Sequence, residues 1–350
     1  MHYGLNIINM KRNLFFIIAF ITLFNNVFAQ DLSTKAVVNT LKDRINLSGY
    51  AQTGYTYDDQ VDSNTFDIKR IIFMAQGKIT DEWLFYFMYT LGPGSSLTEI
   101  YTEYKFLPSL SARLGQFKTP YTIENLMSPT AVELINCYSL ATNYLAGVDN
   151  SDKLYGGTGG RDLGLMIHGN LLNKLLYYQL ALMNGQGINI KDQNNYKDLV
   201  GNLRINPLQW LSIGGSFIKG KGHALAASGV VTGIAPGDDY TRNRWSAGAI
   251  VETKPFSVRS EYLSGEDGKV NSDGFYAIAS FHALPKKIDI IASYDYFNRN
   301  KSLSDKQTNY TAGVQYWFYP QCRLQVQHTF RNIEKEENSN LFQVQVQVRF

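Results

Sequence analysis

Ten basic residues recur as the polar member of an alternating polar/apolar segment: Arg70, Lys78, Lys105, Arg113, Arg204, Arg244, Arg259, Arg323, Arg331 and Arg349. The same parity selects seven acids, Glu99, Glu103, Asp162, Glu252, Glu261, Asp289 and Asp295. Successive side chains on a strand point to opposite faces, so both sets share the face turned away from the apolar residues. Arginine dominates the basic set, and its planar fork meets phosphate or carboxylate through two parallel hydrogen bonds. Many such forks along one wet surface, none too deep, could hand an anion from one to the next. The competing expectation is that the charges pair with one another and only keep that surface wet.

Other chemistries find less support in the sequence. His168, His223, His282 and His328 are scattered without a G-x-S-x-G or comparable nucleophile setting. Cys137 and Cys322 are far apart in sequence, there is no CxxC, and no His/Cys cluster has ligand spacing, so neither a metal site nor a cofactor is expected. A disulfide is not expected either, because the two cysteines fall at opposite ends of the layout below. The run Gly156-Gly157-Thr158-Gly159-Gly160 lacks the GK[ST] ending of a phosphate-cradling loop and reads as a hinge.

The elements that must position these residues are clearest at the C-terminus, where 340–350 reads NLFQVQVQVRF. Phe342, Val344, Val346, Val348 and Phe350 share one face, and Gln343, Gln345, Gln347 and Arg349 the other. A row of glutamines ending in arginine suits a wet lumen, and the apolar face suits lipid, as in an outer-membrane barrel. Sixteen segments of this kind follow from position 44: 44–57, 66–79, 84–91, 97–106, 110–117, 161–169, 174–183, 197–206, 211–219, 242–252, 256–264, 274–283, 287–297, 308–318, 322–332 and 340–350. About ten residues is what a tilted strand needs to cross the hydrocarbon layer, and an even number suits a single-chain barrel with both ends in the periplasm.

The connections alternate in kind. Tight ones such as Thr80-Asp81-Glu82, Leu107-Pro108-Ser109 and Tyr319-Pro320 would face the periplasm, and longer polar ones the outside. All nine prolines fall between the proposed strands, as proline's missing donor requires. The third outer connection, 118–160, has no alternation; Lys118 heads it, Pro120 and Pro129 stiffen it, and a connection of that length is usually functional. It is expected to fold inward and narrow the lumen.

Lys11 and Arg12, the apolar run 14–24 and the small residues Val27 and Ala29 form an export signal over 1–29, with Met10 the expected start and the cut before Gln30. Residues 30–43 would then be a short periplasmic segment and 44–350 the barrel. Loss of the two leader cations lowers the formal net charge from +3 to +1, which gives no basis for nucleic-acid binding. The 23 Tyr and 20 Phe fit aromatic girdles at two membrane interfaces.

Several stretches resemble the phosphate-selective porin O and P family: FDIKRIIFMAQGKITDEW, LTEIYTEYKFLPSLSARLGQFKTPYTIENL, GGRDLGLMIHG and YYQLALMNGQG. The segment Gly115-Gln116-Phe117-Lys118-Thr119-Pro120-Tyr121, the segment Gly160-Arg161-Asp162-Leu163-Gly164 and Asn184-Gly185-Gln186-Gly187 carry most of the likeness, over roughly residues 45–210. The resemblance implies an all-β fold, a sixteen-stranded antiparallel transmembrane barrel in a Gram-negative outer membrane, assembled as a homotrimer. It implies passive diffusion of small hydrophilic solutes with preference for anions such as phosphate, conducted past Arg70, Lys78, Lys105, Arg113, Lys118, Arg204, Arg244, Arg259, Arg323 and Arg331. Expected partners are outer-membrane lipid and lipopolysaccharide, small anions, and the barrel-assembly machinery through Phe350. The loop carries Glu124, Glu133, Asp149 and Asp152 beside its few lysines, which favours a weak anion preference over a tight phosphate site. The alternatives are a barrel enzyme that hydrolyses lipid or peptide, and a plugged structural or adhesin barrel.

Overall fold

The computed structural model describes residues 44–92 and 94–350; the expected leader, the start at Met10, the cut before Gln30 and the segment 30–43 lie outside the described residues. Strands β1 (Ile45–Asp58), β2 (Ser63–Lys78), β3 (Trp83–Leu91), β4 (Ser96–Leu107) and β5 (Leu110–Lys118) precede the longest connection. After it come β6 (Arg161–Leu171), β7 (Leu176–Met183), β8 (Asp198–Leu208), β9 (Leu211–His223), β10 (Asp239–Glu252) and β11 (Phe256–Asp267). The chain ends with β12 (Val270–Leu284), β13 (Ile288–Asn298), β14 (Lys306–Tyr319), β15 (Cys322–Ile333) and β16 (Ser339–Arg349). Sequence neighbours are sheet neighbours throughout, and β1 closes antiparallel on β16 from Tyr50 opposite Arg349 to Asp58 opposite Leu341. Closure removes every sheet edge, which a strand structure in lipid requires because no water is there to satisfy an open ladder.

The period-2 pattern sets the faces. On β16 Gln343, Gln345 and Gln347 are buried inside, while Phe342, Val346 and Val348 are exposed outside. Leu114, Leu165, Leu203, Ile213 and Val314 continue the outer apolar band on other strands. Aromatic pairs flank it. Trp83 and Tyr104 meet at 6.5 Å near the tight turns, and Trp245–Tyr262 and Tyr294–Tyr310, each at 5.5 Å, lie toward the other end. At the seam Gly49 and Phe350 exchange backbone hydrogen bonds of 3.1 and 3.0 Å, and a Cβ on residue 49 would meet the Phe350 ring at 2.7 Å. Glycine is therefore needed where the terminal ring folds over the first strand.

Two connections are much shorter than expected. β9 and β10 run on until only 224–238 remains between them, and β11 and β12 until only 268–269 remains, turned by Gly268 at φ 62°. The ladder continues there through Ser264–Asp273 to Asp267–Val270, with Asp267 held inside by Arg244. Pro207 also departs from expectation. It lies near the end of β8, where the register with β9 shifts between Ile205 and Leu208, so the donor it lacks falls in the irregularity.

Candidate permeation path

The connection 119–160 carries two short helices, α1 (Ile123–Leu126) and α2 (Leu140–Leu145), and its groups reach the inward faces of strands on the far side of the barrel. Buried backbone N–H and C=O groups must find partners, and here the wall supplies them. The two N–H groups that open the helices donate to strand carboxylates: Ile123 to both Glu261 oxygens at 3.0 and 2.9 Å, and Leu140 to Asp295 at 2.9 Å. Between the helices the chain runs along the glutamine rows. Gln325 and Gln327 donate to the Glu133 carbonyl at 2.8 and 2.7 Å, Gln327 accepts from Ile135 N–H at 2.9 Å, and Gln347 donates to the Thr130 carbonyl at 3.3 Å. The glutamines expected to face water thus serve as sockets for the loop backbone, a role their paired donor and acceptor suit.

Apolar packing fills one side of the lumen. Tyr121, Ala141, Tyr144 and Leu145 of the loop cluster with inward Met166, Ile218, Leu263, Tyr276 and Phe297. The glycine run is fixed, in contrast to the hinge expected. Thr119 N–H donates to the Gly160 carbonyl at 3.0 Å, and Asn125 Nδ2 donates to the carbonyls of Thr119 and Gly160 at 3.0 and 2.9 Å. Gly160 has φ 70°, and a Cβ there would stand 1.9 Å from Asn125 Oδ1, so the neck closes only around glycine.

The basic residues singled out in the sequence divide into three groups. Four pair with carboxylates: Arg113 with Glu103 at 2.7 Å, Arg244 with Asp152 and Asp267 at 2.8 Å each, Arg259 with Glu133 at 2.8 Å, and Arg331 with Asp58. Two hold the loop by its carbonyls: Arg323 donates to Val132 at 2.7 Å and to Pro129 at 3.3 Å, and Lys118 donates to Met127. The others have no carboxylate within 4.0 Å among the described residues, and of these Arg349 donates to the Thr130 hydroxyl of the loop at 3.0 Å. Lys78 and Lys105 are exposed beside the tight turns, Arg204 lies over the Tyr177 ring at 5.3 Å, and Arg70 donates to Gln52 at 3.0 Å.

Two buried pairs were absent from that set. Arg242, which shares the parity of Arg244 and could have been found by it, meets Asp198 at 2.5 Å; Arg161 meets Glu99 at 2.9 Å. Within the loop, burial pushes the Glu124 carboxyl above the ordinary glutamate range, with the Arg259 guanidinium 3.5 Å away acting in the opposite direction.

A cavity of about 590 Å³ remains between the loop and the inward faces of β1–β4. Arg70, Lys69 and Arg161 supply its positive side and Asp149 and Asp295 its acids. Asn136, Tyr138, Asp295 and Asn309 carry it into a smaller space of about 30 Å³ among Thr311, Gln327 and Gln343. Three of the four histidines contact carboxylates, and His168 also meets the Tyr177 hydroxyl at 3.4 Å. His168 contacts Glu103 at 3.1 Å, His223 contacts Asp239 at 2.9 Å, His282 contacts Asp289 at 2.7 Å, and His328 lies exposed on β15. Cys137 and Cys322 are buried free thiols.

Residues 40–207 match the family described as phosphate-selective porin O and P. No curated protein matches the chain in sequence. Among solved structures, an anion-selective porin from Comamonas acidovorans is similar at a TM-score of 0.65 and 13% identity, over 87% of this chain and 99% of that one. The high-pH structure of Pseudomonas putida OprB gives 0.63 and 13%, over 90% and 97%. The outer membrane channel DcaP of Acinetobacter baumannii gives 0.57 and 12%, over 87% and 97%. At these identities the three likenesses describe the fold. The match to the phosphate-selective porin O and P family thus covers residues 40–207, and the likeness of fold to porins covers the barrel.

Proposed function

We propose that the chain is a porin of the bacterial outer membrane that lets small hydrophilic solutes diffuse passively, with a weak preference for anions. The observation that carries the reading is the cavity beside β1–β4, where Arg70 faces the open space with the Gln52 amide as its one hydrogen-bond partner among the described residues, while Asp295 accepts from the Leu140 N–H and Glu99 is held by Arg161. A low-dielectric wall focuses even a small charge excess into a local potential, and the free cations Lys78, Lys105 and Arg204 add to it at the rim of tight turns. Catalysis has less support, since among the described residues no serine or cysteine joins the histidine–carboxylate pairs, and the one hydroxyl beside them is the Tyr177 phenol at 3.4 Å from His168. The loop's filling of one side of the lumen favours a second reading, a closed structural barrel.

Conductance of the purified protein in planar bilayers decides between them. Discrete steps whose anion preference falls in Arg70→Gln support the porin. A folded protein that passes no current is the closed barrel, and a preference indifferent to Arg70→Gln puts the selective point elsewhere.

A further inference from the structure

The cavity has a second property that a path for bare inorganic ions does not need. Parity puts polar groups on the inward face, yet Tyr50, Ile72 and Met88 form a buried apolar cluster there, on three successive strands, with Met74 and Tyr86 packed against it. The first three line the cavity directly, and the loop and the connection 184–197 face them with Ile135, Tyr138 and Ile188. The inward apolar residues lie beside Arg70, their neighbour on β2, and Arg161 bridges the two characters, with Nη2 at 3.8 Å from Met88 Sδ. One stretch of wall thus carries Arg70, Lys69 and Arg161 and the adjoining stretch is apolar, with the acids Asp149 on the loop and Asp295 on β13, within one space large enough for a small organic molecule.

We infer that this cavity is a binding site for organic anions with an apolar body, of the aryl or alkyl carboxylate class, in preference to inorganic phosphate. The inference rests on the porin reading and narrows its substrate class. A strongly hydrated phosphate gains nothing from Ile72, Met88 and Tyr50, whereas an aryl carboxylate removes its ring from water against them. Its carboxylate meanwhile meets the Arg70 fork, whose remaining N–H groups have no carboxylate to satisfy them among the described residues. Phosphate and acetate share the charge and lack the body; benzyl alcohol has the body and lacks the charge. Those three compounds separate the two walls.

The test is block of chloride current through the full-length mature protein in planar bilayers by benzoate, acetate, inorganic phosphate and benzyl alcohol. Benzoate is expected to block at concentrations about tenfold lower than acetate or phosphate, a difference of about 1.4 kcal/mol. Benzyl alcohol is expected not to block. Arg70→Gln should weaken benzoate block about tenfold. Ile72→Asn and Met88→Gln should bring benzoate down to the level of acetate, and heat-modifiable migration on gels confirms that each variant is folded. Equal block by acetate and benzoate, or a benzoate preference that survives both apolar substitutions, overturns the inference and leaves the porin reading in place. Absence of any chloride current overturns the porin reading itself.

Discussion

Arg244 shows what becomes of a lumenal arginine when a loop enters the lumen. It is wholly buried and holds Asp152 of the loop and Asp267 of β11 at once, both at 2.8 Å. Buried pairs of this kind add little net stability relative to an apolar filling, but removing one partner leaves the other charges without compensation in a dry place. Arg244→Ala should therefore lower stability by about 3–5 kcal/mol, seen as a fall in the midpoint of urea unfolding followed by heat-modifiable migration. An unchanged midpoint would mean that water reaches the two aspartates. Arg70→Gln, with no carboxylate to strand, should leave that midpoint within about 0.5 kcal/mol of the parent.

Glu124 predicts a pH dependence of defined sign. Its folded pKa is raised chiefly by burial, so its contribution to stability is fully present below the unfolded glutamate value and is lost as pH rises through the folded value. The parent should lose thermal stability on the alkaline side of the ordinary glutamate range. Glu124→Gln, which keeps an acceptor for the Ser139 N–H now bound at 2.7 Å, should lose less. Parallel pH profiles for the two proteins would remove Glu124 as the cause.

At the scale of elements, the loop 119–160 is a built part of the barrel interior, closed at its neck by Asn125 and Gly160. Gly160→Val puts a branched side chain where Asn125 Oδ1 now stands and forces a positive φ on a β-branched residue. The expected outcome is a loosened neck, with larger or noisier single-channel steps than the parent; steps of unchanged size and noise would show that the neck does not control the path.

The strands were legible in the sequence because a two-residue period with lipid outside is a strong constraint: β3, β5, β13 and β15 start or end within a residue or two of their expected limits. The inward faces were legible too, and for the same reason. What the inward residues do was not. Gln325, Gln327 and Gln347 look alike whether they face water or a backbone, and only the fold brings 130–135 within reach of them. The strand around Met88 reads as apolar on both faces, which fits packing against the inserted loop or a subunit contact alike, so the sequence does not set the inward role of Ile72 and Met88.

For the whole molecule, the likeness to the porin family leads us to expect three chains per particle, each with its own path. Mass measurement in detergent should give a trimer, and bilayer recordings should show conductance in groups of three; a monomer with single steps would contradict it. The central claim, a barrel whose partly filled lumen leaves a path biased toward anions by a few uncompensated cations, concerns charge more than size. Four of the expected cations are neutralised by carboxylates, so the remaining bias is small. Exposed charges are also screened beyond roughly 8 Å at physiological salt. The reversal potential of the mature protein across a steep KCl gradient, taken at low and at high ionic strength, tests this most directly. The account predicts a potential of the sign for chloride preference at low salt, shrinking toward the neutral value as salt is raised; a potential of the cation-selective sign at low salt would contradict it.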